Sequence, residues 1–233
     1  CEHDGMKTYT CDICGTTKSE PIKASGHKFG AWATTKEADV FSKEEQKRTC
    51  GICGKTETRT IGDKLNATIS MNATSLKLKK KQTTKKFTVT GLAKSDYITS
   101  WTSSNKKIVT VTGNQNGTCK IKAGNKTGKA KITITLASGL KKTINVTIQK
   151  KAVICTAIKN VSKKLTLNKK KSYQLKPVIN PITCTNKIKY KSSNKKIAKV
   201  SSNGKITAIK PGKVKITISV GKKKFVSNVI IKK

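Results

Sequence analysis

A chain of 233 residues with a net charge of +40, 34% hydrophobic and 4% aromatic side chains is long enough for one to three domains with cores of their own. No apolar run approaches the ~18–20 residues that span a bilayer. The polar stretch from Cys1 to Tyr9 is unlike a signal peptide.

The charge is segregated along the chain. Residues 1–63 hold ten basic residues against ten acidic ones, whereas residues 64–233 hold 41 basic residues, all Lys, and one acid, Asp96. A domain boundary near Asp63 follows. A chain that opens on Cys rather than Met reads as a piece of a longer protein.

Within residues 1–63 the stretch Lys7-Thr-Tyr-Thr-Cys11-Asp-Ile-Cys14-Gly parallels Gln46-Lys-Arg-Thr-Cys50-Gly-Ile-Cys53-Gly. Each is a Cys-x-x-Cys-Gly knuckle expected at the tip of a β-hairpin, where glycine permits the tight turn. Cys11, Cys14, Cys50 and Cys53 together supply four thiolates, enough for a closed tetrahedral Zn²⁺ site with bonds of ~2.3 Å. So small a domain, with few apolar residues, needs a staple. Disulfide bonding is the plain alternative in an oxidising compartment. A redox role would want a βαβ setting that this stretch lacks. A site closed by four protein ligands has no open position for substrate, so no metal catalysis is inferred.

Residues 64–150 and 151–233 read as two homologous units. Trp101-Thr-Ser-Ser-Asn-Lys-Lys-Ile108 returns as Tyr190-Lys-Ser-Ser-Asn-Lys-Lys-Ile197, and Lys129-Ala-Lys-Ile-Thr-Ile134 as Lys213-Val-Lys-Ile-Thr-Ile218. The apolar period is two, as in half-buried strands. Ala130, Ile132, Ile134 and Leu136 point one way and Lys131, Thr133 and Thr135 the other; Val214, Ile216, Ile218 and Val220 repeat the pattern. Leu76/Leu78 and Phe87/Val89 mark further strands, with Leu165/Leu167 and Tyr173/Leu175 as expected counterparts. Asn116-Gly117, Asn203-Gly204 and Pro211-Gly212 mark turns. Many short strands about 8–12 residues apart mean a mainly β chain with a sandwich or barrel in each unit.

The phrase (Trp/Tyr)-x-Ser-Ser-Asn-Lys-Lys-Ile, then Asn203-Gly204-Lys205-Ile206-Thr207-Ala208 and Pro211-Gly212-Lys213-Val214, closely resembles the group-two bacterial immunoglobulin-like modules. These occur in invasin- and intimin-type adhesins, phage virion proteins and Gram-positive surface enzymes. The resemblance covers about residues 65–233, with five extra residues in the first unit around 112–128. It implies two tandem Ig-like β-sandwiches, a cell-surface or extracellular location, no catalysis of their own, and roles in spacing, display or adhesion. In that fold Cys155 and Cys184 become neighbours able to form a disulfide, while Cys119 reads as a buried thiol. The cysteine segment, with Gly26-His27-x-Phe29-Gly30-x-Trp32 between its knuckles, resembles short Cys/His, zinc-ribbon-like repeats that precede such sandwiches in secreted proteins of gut-type Firmicutes. There each repeat has a further Cys ten positions before its knuckle, plus a Gly-His. Cys1 fits that place in the first repeat, and Val40 takes it in the second. A rival ligand set is thereby implied: Cys1, Cys11, Cys14 and His27, with the second repeat degenerate.

Lysine runs stand at Lys79, Lys80 and Lys81, at Lys169, Lys170 and Lys171, and at Lys222, Lys223 and Lys224. Solubility and the blunting of sheet edges explain some of them. Charge on this scale nevertheless opposes compactness through self-repulsion, so attraction to a polyanion is expected. Specific nucleic-acid binding is not: residues 64–233 contain no Arg to read guanine, and Trp101 and Tyr190 read as core residues rather than stacking platforms. An anionic wall polymer such as teichoic acid fits a surface protein better. The alternative is an adhesin or carbohydrate-binding module for a host or dietary glycan, for which only Trp32 and Tyr9 look free. A virion decoration shares the same fold. One acid in residues 64–233 is too few for a glycosidase pair or a calcium site, and both histidines, His3 and His27, lie outside the sandwiches. The chain is expected to be monomeric.

Overall fold

The computed structural model describes all 233 residues, and none of them is helical. Two compact units emerge: Cys1–Thr68 with Leu92–Asp96, and Ile69–Gly91 with Tyr97–Lys233.

In the first unit β1 (Gly5–Thr10) and β2 (Thr17–Ile22) form a hairpin. Strands β3 (Ala33–Lys36), β4 (Glu44–Thr49) and β5 (Thr56–Ile61) form a second sheet in that order, antiparallel throughout. The hairpins close alike: Thr10 faces Thr17 and Thr49 faces Thr56, each pair at the mouth of a knuckle. Core is nearly absent, for Cys50 and Asp39 are the only buried side chains in the unit. The Asp39 carboxylate is held by the Phe41 and Ser42 backbone N–H groups at 2.8 Å, and these bonds pull its pKa down to about 2. Packing is cation-on-ring instead. The Arg48 guanidinium lies over Phe29 (4.5 Å) and Trp32 (4.7 Å), and Arg59 over Trp32 (4.3 Å). Such contacts contribute ~0.5–2 kcal/mol each. Trp32 is therefore half-buried beneath two cations and is not the open sugar platform expected of it; Tyr9 is exposed, with Lys7 4.6 Å above its ring.

The second unit holds two sandwiches with one topology. In the first, β6 (Ser70–Met71), β7 (Ser75–Lys79), β8 (Thr83–Thr84) and β9 (Val89–Thr90) precede β10 (Ile98–Ser103) and β11 (Val109–Gly113). Then come β12 (Cys119–Ala123), β13 (Gly128–Leu136) and β14 (Lys141–Gln149). Four strands pair as β10-β13-β14-β7 and three as β11-β12-β8. The second sandwich runs β15 (Ala157–Lys159), β16 (Lys164–Asn168), β17 (Ser172–Gln174), β18 (Val178–Asn180) and β19 (Ile188–Ser192). It continues with β20 (Ala198–Val200), β21 (Lys205–Ala208), β22 (Gly212–Val220) and β23 (Lys223–Lys232). Its sheets are β16-β23-β22-β19 and β17-β21-β20, the same orders as before. In both, the early edge strand joins the last strand in parallel, β7 on β14 and β16 on β23.

The alternation read from the sequence is the burial pattern. Ala130, Ile132, Ile134 and Leu136 are buried while Lys129 and Lys131 are exposed, and β22 repeats this with Val214, Ile216, Ile218 and Val220. The repeated Ser-Ser-Asn phrase builds one turn twice. Ser103 Oγ donates to the Val109 carbonyl (2.7 Å) and Ser192 Oγ to that of Ala198 (2.6 Å), while Asn105 and Asn194 accept from Lys107 and Lys196 N–H.

One expected correspondence fails. Tyr173 pairs with Ile206 as Thr84 pairs with Ile121, whereas Leu175 donates to Gly204 as Val89 does to Gly117. Phe87 sits in extra chain between those two points and has no counterpart. It is fully buried, edge-on to Trp101 at 6.3 Å, whereas Tyr173 is 40% exposed. The second core is thinner for it: Leu76 and Leu78 are buried, but Leu165 and Leu167 only partly.

Candidate metal centre and lysine face

The two knuckles are the same local structure. In the first, Cys11 N–H donates to Thr16 O (2.8 Å) and Gly15 N–H to Cys11 O (2.9 Å). In the second, Cys50 N–H donates to Lys55 O (2.8 Å) and Gly54 N–H to Cys50 O (3.0 Å). Gly15 and Gly54 have φ of 71° and 72°, a left-handed geometry that suits glycine.

Their surroundings differ. The strip Lys28–Gly30 pairs with the backbone entering the second knuckle: Gly30 N–H donates to Thr49 O (3.1 Å), Gly51 N–H to Lys28 O (3.0 Å), and Phe29 bridges to Cys50. This pairing delivers His27, whose Nδ1 lies 3.3 Å from Cys53 Sγ. Its other nitrogen, Nε2, is 2.9 Å from the Glu2 carboxylate, to which Lys55 Nζ also donates. The ligand atoms of Cys1, His27, Cys50 and Cys53 all lie within 4.8 Å of one another. Neither ligand set expected from the sequence is the one gathered here: Cys50 and Cys53 belong to the first set, Cys1 and His27 to the second. Cys11 and Cys14 are exposed and outside this group. Glu2 and Lys55 escaped notice altogether, because an exposed carboxylate 25 residues from its histidine carries no spacing signal.

The thiols are tuned in opposite senses. The Cys53 backbone N–H directed at Cys50 brings that thiol down to about 6. The Thr16 hydroxyl, 2.8 Å from Cys14 Sγ, brings Cys14 to about 7. Burial drives Cys119 up to about 11, and its Sγ sits 3.5 Å from the Phe87 carbonyl. Cys155 and Cys184 are buried together with Val220 in one small cluster. That cluster adjoins the joint between the sandwiches. There Gln82 Nε2 donates to Thr183 O (2.8 Å), Thr183 Oγ1 to Lys77 O, and Lys86 Nζ to Cys184 O (3.3 Å).

The second unit contains neither Asp, Glu nor His, so no side chain there forms an acid–base pair. The carboxylates of the ion pairs, Glu2, Glu20, Glu37, Glu57 and Asp63, all belong to the first unit. Of the lysines in the second unit every one is exposed except Lys80, which is partly so. The runs expected to meet a polyanion fall at edges and turns. Lys79 ends β7, Lys169 follows β16, and Lys81 and Lys170 adopt left-handed φ of 62° and 68° in equivalent turns. Lys222 stands in the turn before β23, which opens on Lys223 and Lys224. No helix of the protein is long and apolar enough to cross a membrane.

Among curated proteins, none matches the chain in sequence. Solved structures similar to it include domains 5–6 of the S-layer protein SbsC, at 18% identity over 71% of this chain and 98% of that one, TM-score 0.35. Domains 4 and 5 of the same protein are 19% identical over 56% of this chain and 74% of that one, TM-score 0.31. A bacterial Ig-like domain-containing GH10 xylanase from termite gut is 20% identical over 29% of this chain, TM-score 0.26. The chain spans 18% of that xylanase's length. The bacterial Ig-like domain (group 2) family matches residues 66–146 and again 154–230. Those two stretches make up more than half of the protein, which therefore belongs to the group-two bacterial Ig-like domain family.

Proposed function

We propose that the chain is a non-catalytic surface module: a two-sandwich spacer whose lysine exterior holds its parent protein against an anionic envelope polymer such as teichoic acid. The observation that carries this reading is a pair of sandwiches whose chain, residues 64–233, holds one acid, Asp96, against 41 lysines, almost all of them in solvent. Lysine ammonium groups are compact charges on flexible stems. They suit a mobile chain of repeating phosphates, which asks for density of charge rather than a shaped pocket. The spacer part rests on the hydrogen-bonded joint through Thr183 and Cys184. A disulfide between Cys155 and Cys184, free thiols here that share one buried cluster, would fall beside that joint and stiffen it.

The test is retention of the full chain on isolated Gram-positive cell walls as salt rises. Screening shrinks from ~10 Å at 0.1 M to ~3 Å at 1 M. Binding strong at low salt should vanish near 1 M, disappear from walls stripped of teichoic acid, and weaken when Lys79, Lys80, Lys81, Lys169, Lys170 and Lys171 are changed to Gln. Retention at ~1 M salt, or on stripped walls, overturns the reading in favour of glycan recognition.

A further inference from the structure

We propose that Cys1, His27, Cys50 and Cys53 bind one structural Zn²⁺, in a site assembled from both repeats of the first unit. Three sulfurs and one imidazole converging on a point are a ligand set suited to tetrahedral zinc. A tetrahedron with sulfur bonds of ~2.3 Å places its ligand atoms ~3.8 Å apart, so the four atoms, already within 4.8 Å, need to close by about an ångström at most.

Three independent features fit this metal. The imidazole is oriented: Nδ1 faces Cys53 Sγ while Nε2 is held by the Glu2 carboxylate. A carboxylate on the far nitrogen is how metal-binding histidines are commonly fixed in tautomer and angle. Cys50 is the one buried apolar side chain of its unit, at 1% exposure, which places the centre where a core would otherwise be. The backbone pairing of Lys28–Gly30 with Thr49–Gly51 sets the spacing between His27 and the knuckle without help from the metal. With four protein ligands the site is closed, so its role is to fasten the strip before β3 and the N-terminal segment to the β4–β5 hairpin.

The first knuckle is the internal control. It has the same turn, the same glycine and the same hydrogen bonds, yet neither of its thiols is buried as Cys50 is, and both lie outside the group of four. A Cys-x-x-Cys pair thus binds this metal only where two more ligands are delivered to it.

The experiment uses the full wild-type chain, reduced and supplied with zinc. Elemental analysis should give one zinc per chain. Iodoacetamide should modify Cys11 and Cys14 but spare Cys1, Cys50 and Cys53, all of which become reactive after chelation; Cys119, Cys155 and Cys184, buried in the sandwiches, stay protected in both states. His27→Ala and Cys53→Ser should lower zinc content at least tenfold, Cys11→Ser/Cys14→Ser should leave it unchanged, and Glu2→Gln should weaken affinity ~10–100-fold. The proposal is overturned by less than half a zinc per chain, by zinc that survives Cys53→Ser, by its loss in Cys11→Ser/Cys14→Ser, or by Cys50 and Cys53 remaining reactive in the zinc-supplied chain. The alkylation pattern needs no substitution, so a variant that fails to fold leaves the question decidable.

Discussion

The two units of this protein reach stability by opposite routes. The first buries one thiol and one carboxylate, balances its charges in ion pairs, and stacks arginines on rings. The second buries two rows of Ile, Val and Leu between sheets and leaves its charge uncompensated. The contrast teaches that a high net charge is tolerable where apolar burial, at ~25 cal/mol per Å², is large, and that a unit with little burial leans on local ion pairs and ring contacts instead.

The largest expected effect separates the units outright. Structural zinc contributes on the order of 10 kcal/mol in small domains. Chelation should therefore abolish hydrogen-exchange protection in β1–β5 while leaving β13, β14, β22 and β23 protected. Parallel loss in both units would end the comparison. Next, Phe87→Ala should destabilise the first sandwich by ~3–5 kcal/mol and leave β1–β5 and β16–β23 unchanged in urea titrations followed residue by residue.

These expectations show what the sequence could and could not convey. Period-two alternation made β13 and β22 readable, because a strand between core and water must alternate. The extra chain carrying Phe87 was hidden, since Phe87-Thr-Val89 and Tyr173-Gln-Leu175 present the same aromatic-x-apolar pattern and only strand pairing tells them apart. The knuckles were visible as motifs. Cys1 and His27 were visible as candidates too, but their grouping with the second knuckle rather than the first was not, because His27 is brought there by backbone hydrogen bonds at Lys28–Gly30, which leave no mark on residue type.

Smaller effects sharpen the contrast inside the second unit. Leu78→Ala, at a fully buried site, should lower stability by ~3 kcal/mol, and Leu167→Ala, at a half-buried one, by ~1–2 kcal/mol. Equal losses would mean that the second core is as tight as the first. The smallest effect concerns pH. The Cys119 thiol is raised from 9.0 to about 11 by burial. The unfolded chain therefore releases its proton first, and stability falls as pH climbs from 9 toward 11. Cys119→Ala should lack that decrement, read as the difference between the two proteins' urea midpoints across this range. Identical pH profiles would show the thiol to be less shielded than its burial implies.

The parallel seams between β7 and β14, and between β16 and β23, have a mechanical consequence. In each sandwich the second strand and the last lie side by side and run the same way, so tension that reaches this pair from the two chain ends loads all rungs of the seam at once instead of unzipping them singly. Pulled from its two ends, each sandwich should yield as a sudden brittle rupture, leaving the lysine-clad exterior intact up to the breaking load.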